Sequence, residues 1–172
     1  YIRISTDTDL AADAQNDFED VLFTNSSGTK LDHELEFFDA DTGQLYAYVE
    51  VNSIANTGDT TIYMYYNNSS ATGQENAAGT WGNGFTAVYL MSDDPATTAD
   101  GDCAGDVFEV CDSLGSVNLD KNGAPTSSFA ITVLFDGSDD YLDSNGDKLD
   151  NVGTSPMTFS AVITATSNTR FE

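Results

Sequence analysis

Two runs of strict alternation set the frame for this chain. In Gln44-Leu-Tyr-Ala-Tyr-Val-Glu-Val51, the aliphatic residues Leu45, Ala47, Val49 and Val51 fall on one face and Tyr46, Tyr48 and Glu50 on the other. In Thr60 to Tyr66, Ile62, Met64 and Tyr66 oppose Thr61, Tyr63 and Tyr65. A period of two is what a pleated strand with one buried face requires, and a helix would scatter the same residues around its surface. Both runs predict half-buried antiparallel strands.

The rest of the chain follows the same grammar. Further strands are expected at Tyr1 to Ser5, Val21 to Thr24, His33 to Phe38, Phe85 to Met91, Phe129 to Phe135, Tyr141 to Leu142 and Met157 to Thr164, separated by Ser27-Gly28, Asp41-Thr-Gly43, Thr57-Gly-Asp59 and Asn145-Gly146. Only Thr8 to Asn16 reads as a helix, with Thr8 as its cap and Asp9 suited to the positive end of the helix dipole. Many short strands with one short helix predict an all-β, antiparallel, jelly-roll-like β-sandwich.

Charge excludes several partners. The 172 residues carry 29 acidic side chains against 5 Lys and Arg, a formal net charge of -24. Such a surface repels phosphate backbones and anionic lipid, which argues against nucleic acid and membrane-surface partners. It suits solubility in salt or a glycan-rich exterior, with calcium as a possible cofactor. The longest nearly uninterrupted apolar run, Phe129 to Phe135, is far short of a bilayer span, so no membrane insertion is expected.

Two cysteines, Cys103 and Cys111, lie in an acidic loop with no further Cys or His nearby to complete a metal site. A disulfide closing that loop is the economical reading and implies an oxidising compartment; two free thiols are the alternative. Asn25-Ser-Ser, Asn67-Asn-Ser and Asn68-Ser-Ser match the glycosylation acceptor pattern on expected turns, which agrees with an extracellular or cell-surface location.

Residues 1 to about 91 resemble the family called domain of unknown function 2341, found in bacterial and archaeal surface proteins. The residues that carry the likeness are Asp9-Leu-Ala-Ala, Phe23-Thr, Gly28-Thr-Lys-Leu-Asp-His-Glu34, Glu36, Thr42-Gly43, Val49, the Thr60 to Tyr66 strand and Gly79-Thr-Trp81. Three positions depart from its pattern: a usual Trp is Tyr48, a Tyr-Tyr-Gly-Asn is Tyr65-Tyr-Asn-Asn68, and a Trp-His-Leu is Tyr89-Leu-Met91. Residues 92 to 128, rich in Asp, Gly, Ser and Thr, read as an acidic, disulfide-containing connection. Phe135-Asp-Gly-Ser-Asp-Asp-Tyr141, followed by Met157-Thr-Phe-Ser-Ala-Val162, is similar to the opening of a concanavalin A-like, laminin-G-like jelly roll. Residues 129 to 172 thus begin such a module or complete the first sandwich. The chain reads as a fragment of a longer surface protein, lacking a strand before Tyr1, and the Tyr1 end is expected to pair with a segment outside it.

Candidate sites are few. Tyr46, Tyr48, Tyr63 and Tyr65 would form one aromatic platform for sugar rings if their strands were neighbours, or else the inner face of a second sheet layer. Asp143, Asn145 and Asp147 space oxygens around Gly146 as calcium favours, with Asp136, Asp139 and Asp140, or the loop residues Asp93, Asp94, Asp100, Asp102 and Asp106, as further ligands. Glu34, Glu36 and Asp39 are similar to the carboxylate cluster of some β-glucan hydrolases, although a solvated strand face explains them more simply. His33, the only histidine, has no nucleophile to serve and is expected at a strand edge. Trp81 is expected to anchor one end of the core.

The expected function is non-catalytic: a surface β-sandwich for adhesion or carbohydrate binding. The alternative is a structural subunit of a filament, fibre or sheath, a homopolymer in which neighbouring copies complete each other's sheets by strand exchange. A glycoside hydrolase ranks last.

Overall fold

The computed structural model describes residues 1–91, 103, 110–123, 125–127, 133–144 and 158–164. In chain order the elements are β1 (Ile2–Ile4), α1 (Thr8–Asp13), β2 (Leu22–Asn25), β3 (Lys30–Leu31), β4 (His33–Asp39), β5 (Gln44–Val49), β6 (Ile62–Tyr65), α2 (Ala77–Thr80), β7 (Asp120–Asn122), β8 (Thr126–Ser127), β9 (Val133–Leu134) and β10 (Tyr141–Asp143). The fold is all-β and antiparallel, with only these two short helices among the described residues.

Two three-stranded sheets make the sandwich, one ordered β1-β5-β4 and the other β3-β2-β6. The alternation read from the sequence decides what lies between them. Leu45 and Ala47 of the first sheet and Phe23 and Leu31 of the second are buried together with Leu10, Phe18 and Val21, and Ile62, Met64, Tyr66, Val49 and Val51 pack against that cluster. Pairing fixes the faces: Ile2 lies opposite Ala47 and Ile4 opposite Leu45, so β1 turns both isoleucines inward and Arg3 outward with Tyr46. One residue of slip would send each set to the wrong side.

Helix α1 closes one end of the sandwich through Leu10, its one buried residue. Its cap is Asp7, not Thr8: the Asp7 carboxylate accepts from the amides of Asp9 and Leu10, both at 3.0 Å. A charged acceptor one residue upstream satisfies two of the orphan donors of the first turn, leaving Thr8 inside the helix. The helix stops at Asp13, three residues early, because the Gln15 amide turns to Asp20 Oδ1 at 2.9 Å.

Expected strands fail in two places. Phe85 to Met91 forms no strand: the Val88 amide donates to Asp112 Oδ1, the Ser113 amide to the Val88 carbonyl, and the Tyr89 hydroxyl to the Val117 carbonyl. The loop after Val110 takes the hydrogen bonds that a strand neighbour would need. Buried Asp112 organises that loop by also accepting from Leu114, Ser116 and Val117. Residues 158–164 likewise form no strand, and Phe159 and Ile163 stand in solvent. Residues 129–132 of the expected Phe129 to Phe135 strand lie outside the described residues; Val133–Leu134 is a strand paired with β8, and β10 pairs with β7, so the described strands after Met91 pair among themselves.

His33 sits on the edge strand β4, as expected, but its side chain does not. It is fully buried, with its ring edge-on to Phe23 at 5.1 Å, and neither ring nitrogen has a hydrogen-bond partner among the described residues. Burial lowers its pKa, against smaller opposing pulls from the backbone of Leu31 and from Asp32. The folded state therefore holds a neutral imidazole while the unfolded chain takes up a proton below pH about 6.5. Stability contributed this way is intact above that pH and falls as pH drops toward the lowered folded value, by at most about 1.4 kcal/mol per pH unit for one proton. Urea midpoints measured from pH 7.5 to 5 should decline in the native chain and lose most of that slope in His33→Leu. Parallel slopes in the two proteins would show that another group titrates.

Candidate functional site

The four tyrosines do not form one platform. β5 belongs to the first sheet and β6 to the second, where β6 pairs with β2 (Tyr65 opposite Leu22, Tyr63 opposite Thr24). Tyr46 and Tyr48 therefore face outward on one side of the sandwich and Tyr63 and Tyr65 on the other. Neither pair is an inner face.

On the second sheet, Tyr63 and Tyr65 are 48% and 53% exposed, which leaves one side of each ring to solvent. Beside Tyr65 opens a groove of about 550 Å³, lined among others by Asp20, Thr24, Asn68, Thr72 and Gln74. A strap, residues 66 to 76, builds its outer wall. The strap begins where Tyr66 turns into the core and Asn67 takes a left-handed backbone, φ 74°, at the position where the resembled family has glycine. Asparagine is among the few side chains that tolerate that conformation. Asp20, itself buried, then accepts from the amides of Asn67 and Asn68 at 2.7 and 3.0 Å and from Gln15. Gln15 Nε2 reaches the Asn68 and Ala71 carbonyls, Lys30 Nζ donates to Gln74 Oε1 at 3.0 Å, and the Asn76 amide donates to the His33 carbonyl at 2.9 Å. The result is a trough of hydroxyl and amide groups, with Leu22 and Ala71 among them, bordered by Tyr65 and Tyr66.

The opposite outer face is built differently. Tyr1, Tyr48, Trp81 and Phe85 make a continuous row, with successive ring centroids 4.8, 4.8 and 5.2 Å apart, and Tyr46 and Phe37 extend it. Trp81 thus joins this row instead of the main core. It is delivered by α2, whose cap Asn76 accepts from Gly79 and donates to Asp32 Oδ1. A Cβ on Gly79 would lie 2.4 Å from Asp32 Oδ2 and 2.5 Å from Asn76 Nδ2, so any larger residue there has to displace the side chains that form this cap.

The three candidate catalytic carboxylates each bond a different partner. The bulge falls at Glu36, between Leu35 and Phe37. Glu34 accepts from Trp81 Nε1, Glu36 accepts from the Tyr1 hydroxyl at 2.5 Å, and Asp39 caps the β4–β5 turn by accepting from Asp41 and Thr42. Burial raises the pKa of Glu34, with Glu75 and Asp112 adding repulsion against its bonds to Trp81 and Ser113. Glu75, also raised by burial, accepts from the Leu35 amide and so covers the free edge of β4.

Of the expected calcium ligands, Asp143 lies on β10 opposite Asp120, and Asn145 and Asp147 fall outside the described residues, as do Asp93, Asp94, Asp100, Asp102 and Asp106. The acidic group that does converge is Asp136, Asp139 and Asp140, with one oxygen of each within 4.8 Å of the others. The Asp136 amide is bonded to Asp140 Oδ2 at 2.7 Å. Cys103 and Cys111 form a disulfide, Cα to Cα 5.2 Å, which is compatible with an oxidising compartment. Among the described residues no helix is long and apolar enough to cross a membrane. Of the glycosylation candidates, Asn67 and Asn68 are exposed, whereas the Asn25 side chain accepts from Ser27 and Thr29 within the β2–β3 turn.

The sequence profile of a domain of unknown function, DUF2341, matches residues 17–122, well over half of the chain. The chain belongs to this family. The DUF2341 match takes in the second sheet, β4 and β5, the strap, the aromatic row from Tyr48 to Phe85, and the disulfide loop. It starts after Asp9-Leu-Ala-Ala and runs on beyond residue 91. No curated protein and no solved structure matches the chain.

Proposed function

We propose that this DUF2341 chain is a non-catalytic, extracellular glycan-binding module and that the groove beside Tyr65 is its binding site. The observation that carries the reading is a half-exposed tyrosine ring bordering a trough of hydroxyl and amide groups. Sugar rings offer an apolar face to an aromatic ring and hydroxyls to polar neighbours. A net charge of -24 favours neutral glycans over acidic ones. The disulfide suits an oxidising, extracellular setting. Glu34 and Glu36 are each held by an aromatic partner and Asp39 by a turn, which supports a binding role over hydrolysis.

Calorimetric titration with a panel of neutral oligosaccharides tests the reading. Saturable binding is expected, weakened about tenfold or more in Tyr65→Ala, because about 1.4 kcal/mol of lost stacking is a factor of ten. Tyr65 is exposed and the variant should melt as the native chain does. Binding to no oligosaccharide, or equal affinity in the variant, would refute it.

A second reading, the strand-exchanging structural subunit, draws support from residues 158–164, where Phe159, Val162 and Ile163 are exposed on a segment without a strand partner among the described residues. Calcium is proposed as an accessory to either reading, through the hard oxygens of Asp136, Asp139 and Asp140.

A further inference from the structure

The aromatic row on the first sheet combines two properties that rarely serve packing alone. At one end Phe85 is 55% exposed, and carboxylates are set among its rings. Glu36 lies against Tyr1, Glu34 against Trp81, and both act on Tyr48 between them, whose hydroxyl is pushed up first by burial and then by these two charges. Each carboxylate accepts from the polar edge of a ring, Glu36 from the Tyr1 hydroxyl and Glu34 from Trp81 Nε1, which fixes negative charge at the rim of this aromatic face. A cation gains from both, since the ring quadrupole and the carboxylates attract it together.

The chain itself supplies an instance. The Arg3 guanidinium lies 5.2 Å from the centroid of the Tyr46 ring, at the β1 margin of this face. Arg3 is exposed and is the basic residue placed on the face by the β1–β5 register; Lys30 is bonded to Gln74 at the strap. Around Tyr1, Tyr48 and Trp81 the carboxylates are held by the Tyr1 hydroxyl and the Trp81 indole, and no lysine or arginine is described against them.

We propose that this face is a docking surface for a basic segment of another protein, whose arginine or lysine side chains lie over Tyr1 and Tyr48 and pair with Glu36. The surface is separate from the glycan groove, being on the opposite outer face, and stands whether or not that reading holds. Charge complementarity selects the occupant: a segment bearing acidic side chains is repelled by Glu34, Glu36 and Glu75, and a purely apolar one would strand Glu36 without water. Guanidinium is the better fit, because its planar fork can stack on a ring and bond a carboxylate at once.

Trp81 is the only tryptophan, so its fluorescence reports on this face alone. A short arginine-bearing peptide titrated into the intact chain should shift Trp81 emission saturably, and a glutamate-bearing peptide of equal length should not. Glu36→Gln and Tyr1→Ala, both at exposed or half-exposed positions, should each weaken the response about fivefold. Their urea midpoints should stay within error of the native value. Diffuse binding of cations to an acidic protein would leave Trp81 emission unmoved or would move it as much in both variants as in the native chain, and either result overturns the proposal. A response driven equally well by the glutamate peptide would overturn it as well.

Discussion

Gly43→Ala should be the most damaging single methyl addition in the described chain, costing about 3–5 kcal/mol. Gly43 ends the β4–β5 turn with φ 65°, and a Cβ there would lie 1.9 Å from the Asp7 carbonyl oxygen and 3.0 Å from the Ala11 amide nitrogen. Both obstacles are backbone, so no side chain can swing away. The left-handed conformation alone costs a non-glycine residue about 1–2 kcal/mol. The collision adds more, because relief requires moving the Asp7 cap, and with it α1 and Leu10, off the end of the core. Against a typical total of about 5–15 kcal/mol the loss could be decisive. Gly28→Ala is the control: φ is 80° but nothing lies within 4 Å, so only the conformational part should appear. Urea denaturation of the two variants should separate by about 2 kcal/mol or more; equal losses would mean that the Asp7 contact yields at no cost.

Asp20→Ala is expected to be nearly as severe and to reach the groove. Its carboxylate, 3% exposed, accepts three backbone amides from Gln15, Asn67 and Asn68, joining the end of α1 to the start of the strap. Each buried donor left without an acceptor costs about 1–3 kcal/mol, partly recovered where water enters, for a net of about 3 kcal/mol. Asp20→Asn keeps one acceptor oxygen and should lose about half as much. Because Asn68 lines the groove and Asn67 holds a left-handed backbone there, the alanine variant should also expose the strap amides. Hydrogen exchange at residues 67 to 72 should accelerate well before the core exchanges. Protection unchanged in that segment would show that Gln15 and the β6 ladder hold the strap without Asp20.

What the sequence told in advance follows the range of the interactions involved. β5 and β6 were legible because a period of two is a local signal with a single structural cause. The glycines of the turns were legible for the same reason, and Gly28, Gly43 and Gly58 all take positive φ. Sheet membership was not legible. The Thr57-Gly-Asp59 loop carries the chain from one sheet to the other, and nothing in residues 44 to 66 says whether β6 pairs with β5 or with β2, so the tyrosines were grouped across a gap they do not bridge. His33 was placed on an edge strand correctly, but its inward face follows from register with Val49, a contact made sixteen positions along the chain. Phe85 to Met91 has strand composition and lost its strand to Asp112, a residue too far along the sequence for any local pattern to include. Asp7 was missed because Thr8 also caps helices well, and the choice depends on which oxygen reaches the second and third amides.

The residues that carried the family resemblance now have physical reasons. Phe23, Leu31 and His33 fill the core, Gly43 and Gly79 admit close backbone or side-chain neighbours, and Glu34 and Trp81 bind each other on the outer face. They account for the architecture. The groove is instead formed by the strap and by Tyr65.

The most direct test of the account is residue-resolved mapping of a bound neutral oligosaccharide by amide and side-chain chemical shifts. The account predicts that perturbations gather at Tyr65, Asn68, Thr72 and Gln74, leaving Tyr48 and Trp81 unmoved. Shifts concentrated on Tyr48 and Trp81, or none anywhere at saturating sugar, would contradict it.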